Sequence, residues 1–240
     1  MKCLVRLRYS VLCVAALFPI SGLAQADDHA ASSVLHAHID LPPLPLKDHV
    51  PAAVLWLKPL SGPTIVRSLP TAHYELVQKN RMFMPHLLVI PVGSIVSFPN
   101  EDPFFHNVFS LFNGKRFDLG LYEAGTSKDV AFSREGVSYI FCNIHPQMGA
   151  IVLALSTPYY ATADRSGVFR IDDVPNGEYE LHVWVDGLAQ SSLDRLTHRV
   201  RLGPGMPDSL NLDARAIPRE PDNHLNKFGQ QYSRNPSPSY

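Results

Sequence analysis

Cysteine, histidine and methionine recur at three-residue intervals in the stretch Phe141-Cys142-Asn143-Ile144-His145-Pro146-Gln147-Met148. A thiolate, an imidazole and a thioether make a soft ligand set, and a soft set suits copper. A second histidine stands upstream, in Pro99-Asn100-Glu101-Asp102-Pro103-Phe104-Phe105-His106-Asn107-Val108. His106, Cys142 and His145 would supply a trigonal plane and Met148 a weak axial sulfur. That is the arrangement of a mononuclear copper site for single-electron transfer. The loop is short enough to bring three ligands round one point without a helix, with Cys142 ending one strand and Gly149 releasing the chain into the next. His106 comes from a different strand, so folding rather than the metal presets the site.

The cysteine count sharpens this reading. Lys2, Arg6 and Arg8 form a positive leader, Val11 to Ile20 a short apolar run, and Ala24-Gln25-Ala26 a small-x-small cleavage pattern. Residues 1–26 therefore read as a secretory signal, whose apolar run is too short for a membrane anchor. Cys13 follows a bulky Leu12 and comes too early for a lipoprotein signal. Cleavage removes Cys3 and Cys13, and places the mature chain in the periplasm or outside the cell with one thiol and no internal disulfide. A lone cysteine there is an intermolecular link, a reactive thiol or a metal ligand, and its neighbours favour metal.

Two other readings of these residues are weaker. Taken singly, Cys142 and Met148 would be ordinary core fillers. A hydrolytic Cys–His pair would draw its histidine from far along the sequence, not from three residues away, and no helix start nearby offers an oxyanion site.

The elements that must position these ligands are strands. Val54–Leu57, Leu87–Ile90, Ile95–Phe98, Val108–Phe112, Val130–Phe132, Val137–Phe141 and Ile151–Leu155 are short apolar runs, punctuated by Pro91-Val92-Gly93, Asn113-Gly114 and Glu135-Gly136. No stretch sustains a helical period, and this pattern predicts a β-sandwich or barrel. A second block starts near residue 157, with Val168–Ile171 and Tyr179–Val185 alternating as half-buried strands around the turn Val174-Pro175-Asn176-Gly177, and Arg199–Leu202 and Leu210–Leu212 closing it. Five segments follow: signal 1–26, an extended stretch 27–70 with one strand at 51–58, a domain at 71–156, a second at 157–214, and a disordered tail at 215–240 rich in Pro, Asn, Arg and Ser. The prolines of Leu41–Pro45 lack donor N–H groups. His36 and His38 are two histidines alone, short of the three or four ligands of a usual site.

At this point the residues resemble a family. Tyr74 to Leu155 looks like a cupredoxin of the plastocyanin and amicyanin kind. Gln78–Phe83 and Pro91–Val96 are similar to its early strands, Pro103–Val108 to the loop bearing the first copper histidine, and Phe141–Met148 to the copper loop. The Cys-x2-His-x2-Met spacing is similar to amicyanin and shorter by two than in plastocyanin, while Ile144 stands where amicyanin-like loops have proline. The resemblance implies a Greek-key sandwich, equatorial His106, Cys142 and His145, axial Met148, and an Asn107 backbone N–H donated to the Cys142 sulfur. The pattern from Asp164 to Val185 resembles a noncatalytic carboxypeptidase regulatory-like (transthyretin-like) domain, giving an all-β chain of a cupredoxin sandwich plus a second small sandwich.

The expected function is an exported carrier of one mononuclear copper that exchanges electrons with a redox partner protein and is not an enzyme. A copper-delivery module and a structural β-protein without redox turnover are the alternatives. The 240-residue chain has a formal net charge of -1, which argues against bulk binding to nucleic acid or anionic membrane. After signal cleavage no membrane insertion is expected. Among the remaining residues, His86 precedes an apolar run without partner spacing, His182 falls on a polar strand face, and Trp56 and Trp184 read as core or interface aromatics. Phe104, Phe105 and Pro146 flank ligand positions, where they would either rim the site for an electron partner or pack in the core. The strand around Ala52–Leu57 could pair with the second block and interlock the two domains.

Overall fold

The computed structural model describes residues 31–42, 52–61, 70–111, 114–207, 209–218 and 225–231. The signal segment, Leu44, Pro45 and Phe112 lie outside them. Among the described residues seventeen strands, one short α-helix and one 3-10 turn (Asp194–Leu196) follow in chain order. The first six are β1 (Ser32–Asp40), β2 (Ala53–Ser61), β3 (His73–Glu75), β4 (Val77–Lys79), β5 (Met82–Met84) and β6 (Leu87–Pro91). Then come β7 (Ile95–Ser97), β8 (His106–Ser110), β9 (Phe117–Tyr122), β10 (Asp129–Ala131), β11 (Gly136–Cys142) and β12 (Gly149–Leu155). The last five are β13 (Tyr160–Thr162), β14 (Val168–Pro175), β15 (Gly177–Val185), β16 (His198–Leu202) and β17 (Leu210–Asp213), with α1 (Gln190–Leu193) between β15 and β16. The protein is all-β. Among the described residues no helix is long and apolar enough to cross a membrane.

Among the described residues there are five sheets: the two-stranded β4-β5 adds Phe83 to one core, and the other four sheets share three cores. The sheet β10-β7-β3 faces the sheet β6-β12-β11-β8-β9 across Val96, Phe98, Phe132, Ile140 and Val152. The reverse face of β12 presents Ile151, Leu153 and Leu155 to Val54, Trp56 and Trp184 of the sheet β13-β2-β15-β16. The far side of that sheet packs Leu55, Leu57, Leu181 and Val183 on Leu35, Ile39, Phe169 and Ile171 of the sheet β14-β1-β17. Both inner sheets are buried on two faces, which is why Val54–Leu57 and Ile151–Leu155 are unbroken apolar runs. β15, flanked by β2 and β16, is the longest-paired strand, running Glu178 to Val185 against β2. So the Ala52–Leu57 strand does join the second block, and Trp56 and Trp184 lie at the junction.

Within the stretch 27–70, read from sequence as extended with one strand at 51–58, the described residues hold a further strand. Ser32–Asp40 is a nine-residue strand held antiparallel to β14 and parallel to β17. Its alternation is plain once the partners are known: Leu35, Ala37 and Ile39 are buried, and His36 and His38 face outward between them. His38 Nε2 lies 3.0 Å from the Ser166 carbonyl oxygen, and neither histidine belongs to a metal-binding cluster among the described residues. The second block is therefore built with β1 and β2 as well as its own strands.

Candidate metal centre

Strand pairing alone brings the distant ligands together. β8 and β11 are antiparallel neighbours, with Cys142 opposite Val108 and Phe141 opposite Phe109. His106, at the start of β8, thus lies beside the end of β11 that carries Cys142. β11 and β12 form a hairpin closed by the pair Phe141 and Gly149, so residues 142–148 are its loop. Within that loop the Met148 N–H donates to the His145 carbonyl at 3.0 Å, and the Cys142 N–H donates to the Met148 carbonyl at 3.3 Å. Cys142, His106 and Met148 are fully buried, His145 is half-buried, and Ile144, Pro146 and Gln147 are exposed.

The donor atoms converge. Cys142 Sγ is 3.7 Å from Nδ1 of His106 and 3.7 Å from Nδ1 of His145, and the two Nδ1 atoms are 3.2 Å apart. These three residues are the one metal-compatible cluster among the described residues, their ligand atoms all within 4.8 Å of one another. Bonds of about 2.0 Å to nitrogen and about 2.3 Å to sulfur, as for zinc, at about 120° would place nitrogen and sulfur about 3.7 Å apart. The spacing of the side chains fits one first-row metal ion.

A buried carboxylate fixes the first histidine. Asp102 Oδ2 lies 2.8 Å from His106 Nε2. An ionised carboxylate only accepts, so Nε2 carries the proton and Nδ1 keeps its lone pair for the cluster. Asp102 also accepts from the backbone N–H groups of Asn80 at 2.7 Å and Arg81 at 2.9 Å. Asn80 and Arg81 adopt φ values of 55° and 57°, a left-handed turn between β4 and β5 that aims both N–H groups at one side chain. Burial by itself would raise the Asp102 pKa, but the donors Arg81, His106 and Asn80 together hold it below the usual carboxylate range. Burial lowers the pKa of His106 against the pull of Asp102. His145 is lowered too, by burial and then by the charges of His106 and Arg81.

Burial pushes the Cys142 thiol up, opposed by the backbone N–H groups of Asn107, Ile144 and His145. The Asn107 N–H thus sits where the family resemblance implied. The Asn107 side chain does something the sequence did not suggest: its Nδ2 donates to Asp118 Oδ1 at 2.7 Å. The Phe104 ring edges onto His106 and tilts against His145, with centroids at 5.2 and 5.5 Å, and the Arg81 guanidinium lies over it at 5.1 Å. Phe105 is exposed, and with Ile144 and Pro146 it gives the loop an apolar rim.

Three further residues had no role assigned from sequence. Lys227, inside the stretch read as a disordered tail, donates its backbone N–H to Asn143 Oδ1 at 3.0 Å. Its Nζ pairs with Asp118 Oδ2 at 2.9 Å. Lys227 is accordingly placed against the ligand loop, while 219–224 and 232–240 lie outside the described residues. His86 bridges the two inner sheets through Asp186, 2.8 Å from its Nε2. His182 is half-buried and stacks on Trp56 at 5.3 Å, and is not solvent-facing as its strand position suggested.

A family model described as polysaccharide lyase family 4, domain II, matches residues 153–200, from the end of β12 into β16. No curated protein matches the chain. The solved structures similar to this chain include copper proteins. The copper-containing nitrite reductase of Thermus scotoductus SA-01 is 24% identical over 41% of this chain and 25% of that one, with a TM-score of 0.34. The chain thus spans about a quarter of that enzyme. A purple cupredoxin from Nitrosopumilus maritimus is 28% identical over 35% of this chain and 99% of its own, with a TM-score of 0.31. A mutant amicyanin in its Cu(I) form is 16% identical over 35% of this chain and 82% of its own, with a TM-score of 0.33.

Proposed function

We propose that the protein is an exported carrier of single electrons in which His106, Cys142 and His145 would hold one mononuclear copper, with Met148 offering a weak fourth sulfur ligand. The observation that carries this reading is the convergence of one sulfur and two imidazole nitrogens at metal-compatible spacing. Thiolate and thioether favour copper over harder ions in such a set. Bound copper would supply a Cu(II)/Cu(I) couple.

The chain's own residues do the rest. The β8–β11 pairing and the β11–β12 hairpin hold the donors in place before any metal arrives, and Asp102 keeps His106 in one tautomer. A site held this firmly changes little with oxidation state. His145, half-buried against the Phe104 ring, is the port toward a redox partner docking on the apolar rim. The noncatalytic second β-system, resembling a carboxypeptidase regulatory-like domain, supports the copper half. With no substrate bond made or broken, the protein is not an enzyme by itself. The signal at 1–26 directs it to the periplasm or the exterior.

The test is the visible spectrum of the mature chain loaded with Cu(II). An intense thiolate-to-copper band that disappears in Cys142→Ser is the expected result. A colourless, exchangeable copper would instead mark a delivery module, and no binding at all a structural protein.

A further inference from the structure

Between the two inner sheets, away from the metal cluster, lies a cavity of about 190 Å³. Its walls are apolar: Val137 and Tyr139 of β11, Leu153 and Leu155 of β12, and Trp56 of β2. Glu135 and Asp194 also line it. Asp194 is exposed and Glu135 is half-buried, so these two carboxylates mark its open side. An engineered cavity of about 150 Å³ is known to take a benzene ring. This one is large enough for a six-membered ring and a substituent.

Two lining residues carry interior polar atoms without a partner among the described residues, Trp56 Nε1 and Gln190 Oε1. The neighbouring tryptophan shows the contrast, since Trp184 Nε1 donates to the Tyr139 hydroxyl at 3.4 Å. Trp56 is only 8% exposed, and its ring is held by stacking on His182. Gln190 Nε2 donates to Asp194 Oδ1 at 2.8 Å. A carboxylate cannot donate, so this bond fixes the amide with nitrogen toward Asp194 and leaves the oxygen as the acceptor without a partner. An unmade hydrogen bond on a buried group is costly, and here one donor and one acceptor on the same cavity both lack it.

We propose that this cavity binds a small uncharged hydroxylated arene. The ring fills the space between Trp56, Val137 and the β12 leucines. The hydroxyl accepts from the indole N–H and donates to Gln190 Oε1, so that one group completes both. Glu135 is already paired with Lys58 at 2.8 Å, and the lining holds no lysine or arginine, so a carboxylate guest would lose its hydration without gaining an ionic partner. The metal cluster shares no residue with this cavity, so the inference stands apart from the proposed redox role.

Calorimetric titration of the full chain with phenol, benzene and benzoate tests it. Phenol should saturate one site, and benzene should bind there about tenfold more weakly for want of the hydroxyl contacts. Benzoate should not bind. In Gln190→Ala and Trp56→Phe, phenol should fall toward the benzene level while benzene is little changed, and retained benzene binding shows that the cavity is intact. Equal affinities for phenol and benzene in the wild type would overturn the proposal, as would no saturable binding of either. So would phenol affinity that survives both substitutions. Should a variant fail to fold, the wild-type phenol-to-benzene ratio still decides.

Discussion

The two halves of the molecule bury different kinds of side chain. The half that carries the metal cluster buries Gln78, Ser94, Asn100, Asp102, His106, Asn107, Ser110 and Ser138, whereas among the described residues the buried polar ones of the C-terminal half are Thr157 and Ser192. The core between the two outermost C-terminal sheets is made of Leu35, Phe169, Leu181 and similar residues. Burying polar groups is unfavourable unless each finds a partner, but a partnered network fixes positions more tightly than apolar contacts do. Asn100, Asp102 and His106 are partnered in this way, while Gln78 Oε1, Asn107 Oδ1 and Ser110 Oγ have no partner among the described residues; the metal-site half thus aims the atoms nearest the cluster, and the other half holds together. If that division is real, a large core deletion in the second half should weaken the fold and spare the site. Phe169→Ala should cost about 3–5 kcal/mol of unfolding free energy, measured by urea denaturation, with metal affinity per folded molecule unchanged. A parallel tenfold loss of affinity would show that the halves are not separable in this way.

The converse substitution belongs to the first half. Asp102→Ala removes the acceptor of His106 Nε2 and of two backbone N–H groups at once. Orienting partners of metal-bound histidines are typically worth 10–100-fold in affinity, so a loss of about that size is expected in competition with a chelator. The stability loss of the metal-free protein should be smaller than for Phe169→Ala, about 1–3 kcal/mol. Unchanged affinity would mean that the β8–β11 pairing alone positions His106.

Acid should act on the two regions with opposite sign. His86, between the inner sheets, has its pKa raised above 6.5, chiefly by the hydrogen bond to Asp186. Its contribution is therefore complete below that value and disappears as pH rises through the folded-state pKa. His106 and His145 are lowered from 6.5 by burial, so in the metal-free protein the unfolded chain takes up protons first and stability falls on acidification. His86→Gln should then destabilise the metal-free protein more at about pH 5 than at about pH 9. A pH-independent difference in urea midpoints would remove the assigned ion pair.

Much of this architecture is legible in the sequence where burial imposes a pattern. Tyr179–Val185 alternates and is a strand; Val54–Leu57 and Ile151–Leu155 are continuous and prove to be strands buried on both faces. Ser32–Asp40 alternates just as clearly in Leu35-His36-Ala37-His38-Ile39. Its histidines invite a metal reading, though, and its partners β14 and β17 lie far along the chain. Phe117–Tyr122 is hidden by Asp118 and Gly120, residues that usually mark turns. At the site, the ligand spacing within residues 142–148 and the upstream His106 are readable because side-chain types define them. Asp102 is not, because two of its three donors are backbone N–H groups of Asn80 and Arg81, made available by a turn conformation that composition does not reveal. Lys227 is hidden for the same reason: its bond to Asn143 is made by the main chain.

That last contact gives the smallest and most discriminating test of the comparison. Lys227 reaches both ligand-bearing loops, through Asn143 next to Cys142 and through Asp118, whose other oxygen accepts from Asn107 next to His106. The ion pair to Asp118 is partly exposed, and such pairs contribute about 0–1 kcal/mol. Lys227→Ala removes it but keeps the backbone donor to Asn143, so stability and the Cu(II) electron paramagnetic resonance spectrum should barely change. Lys227→Pro also removes the N–H, leaving Asn143 Oδ1 without that donor at the root of the ligand loop. If the C-terminal segment helps to position the loop, the proline variant should alter the copper hyperfine coupling while the alanine variant does not. Identical spectra in both variants would confine the positioning to the β11–β12 hairpin and Asp102, and reduce residues 225–231 to a surface contact.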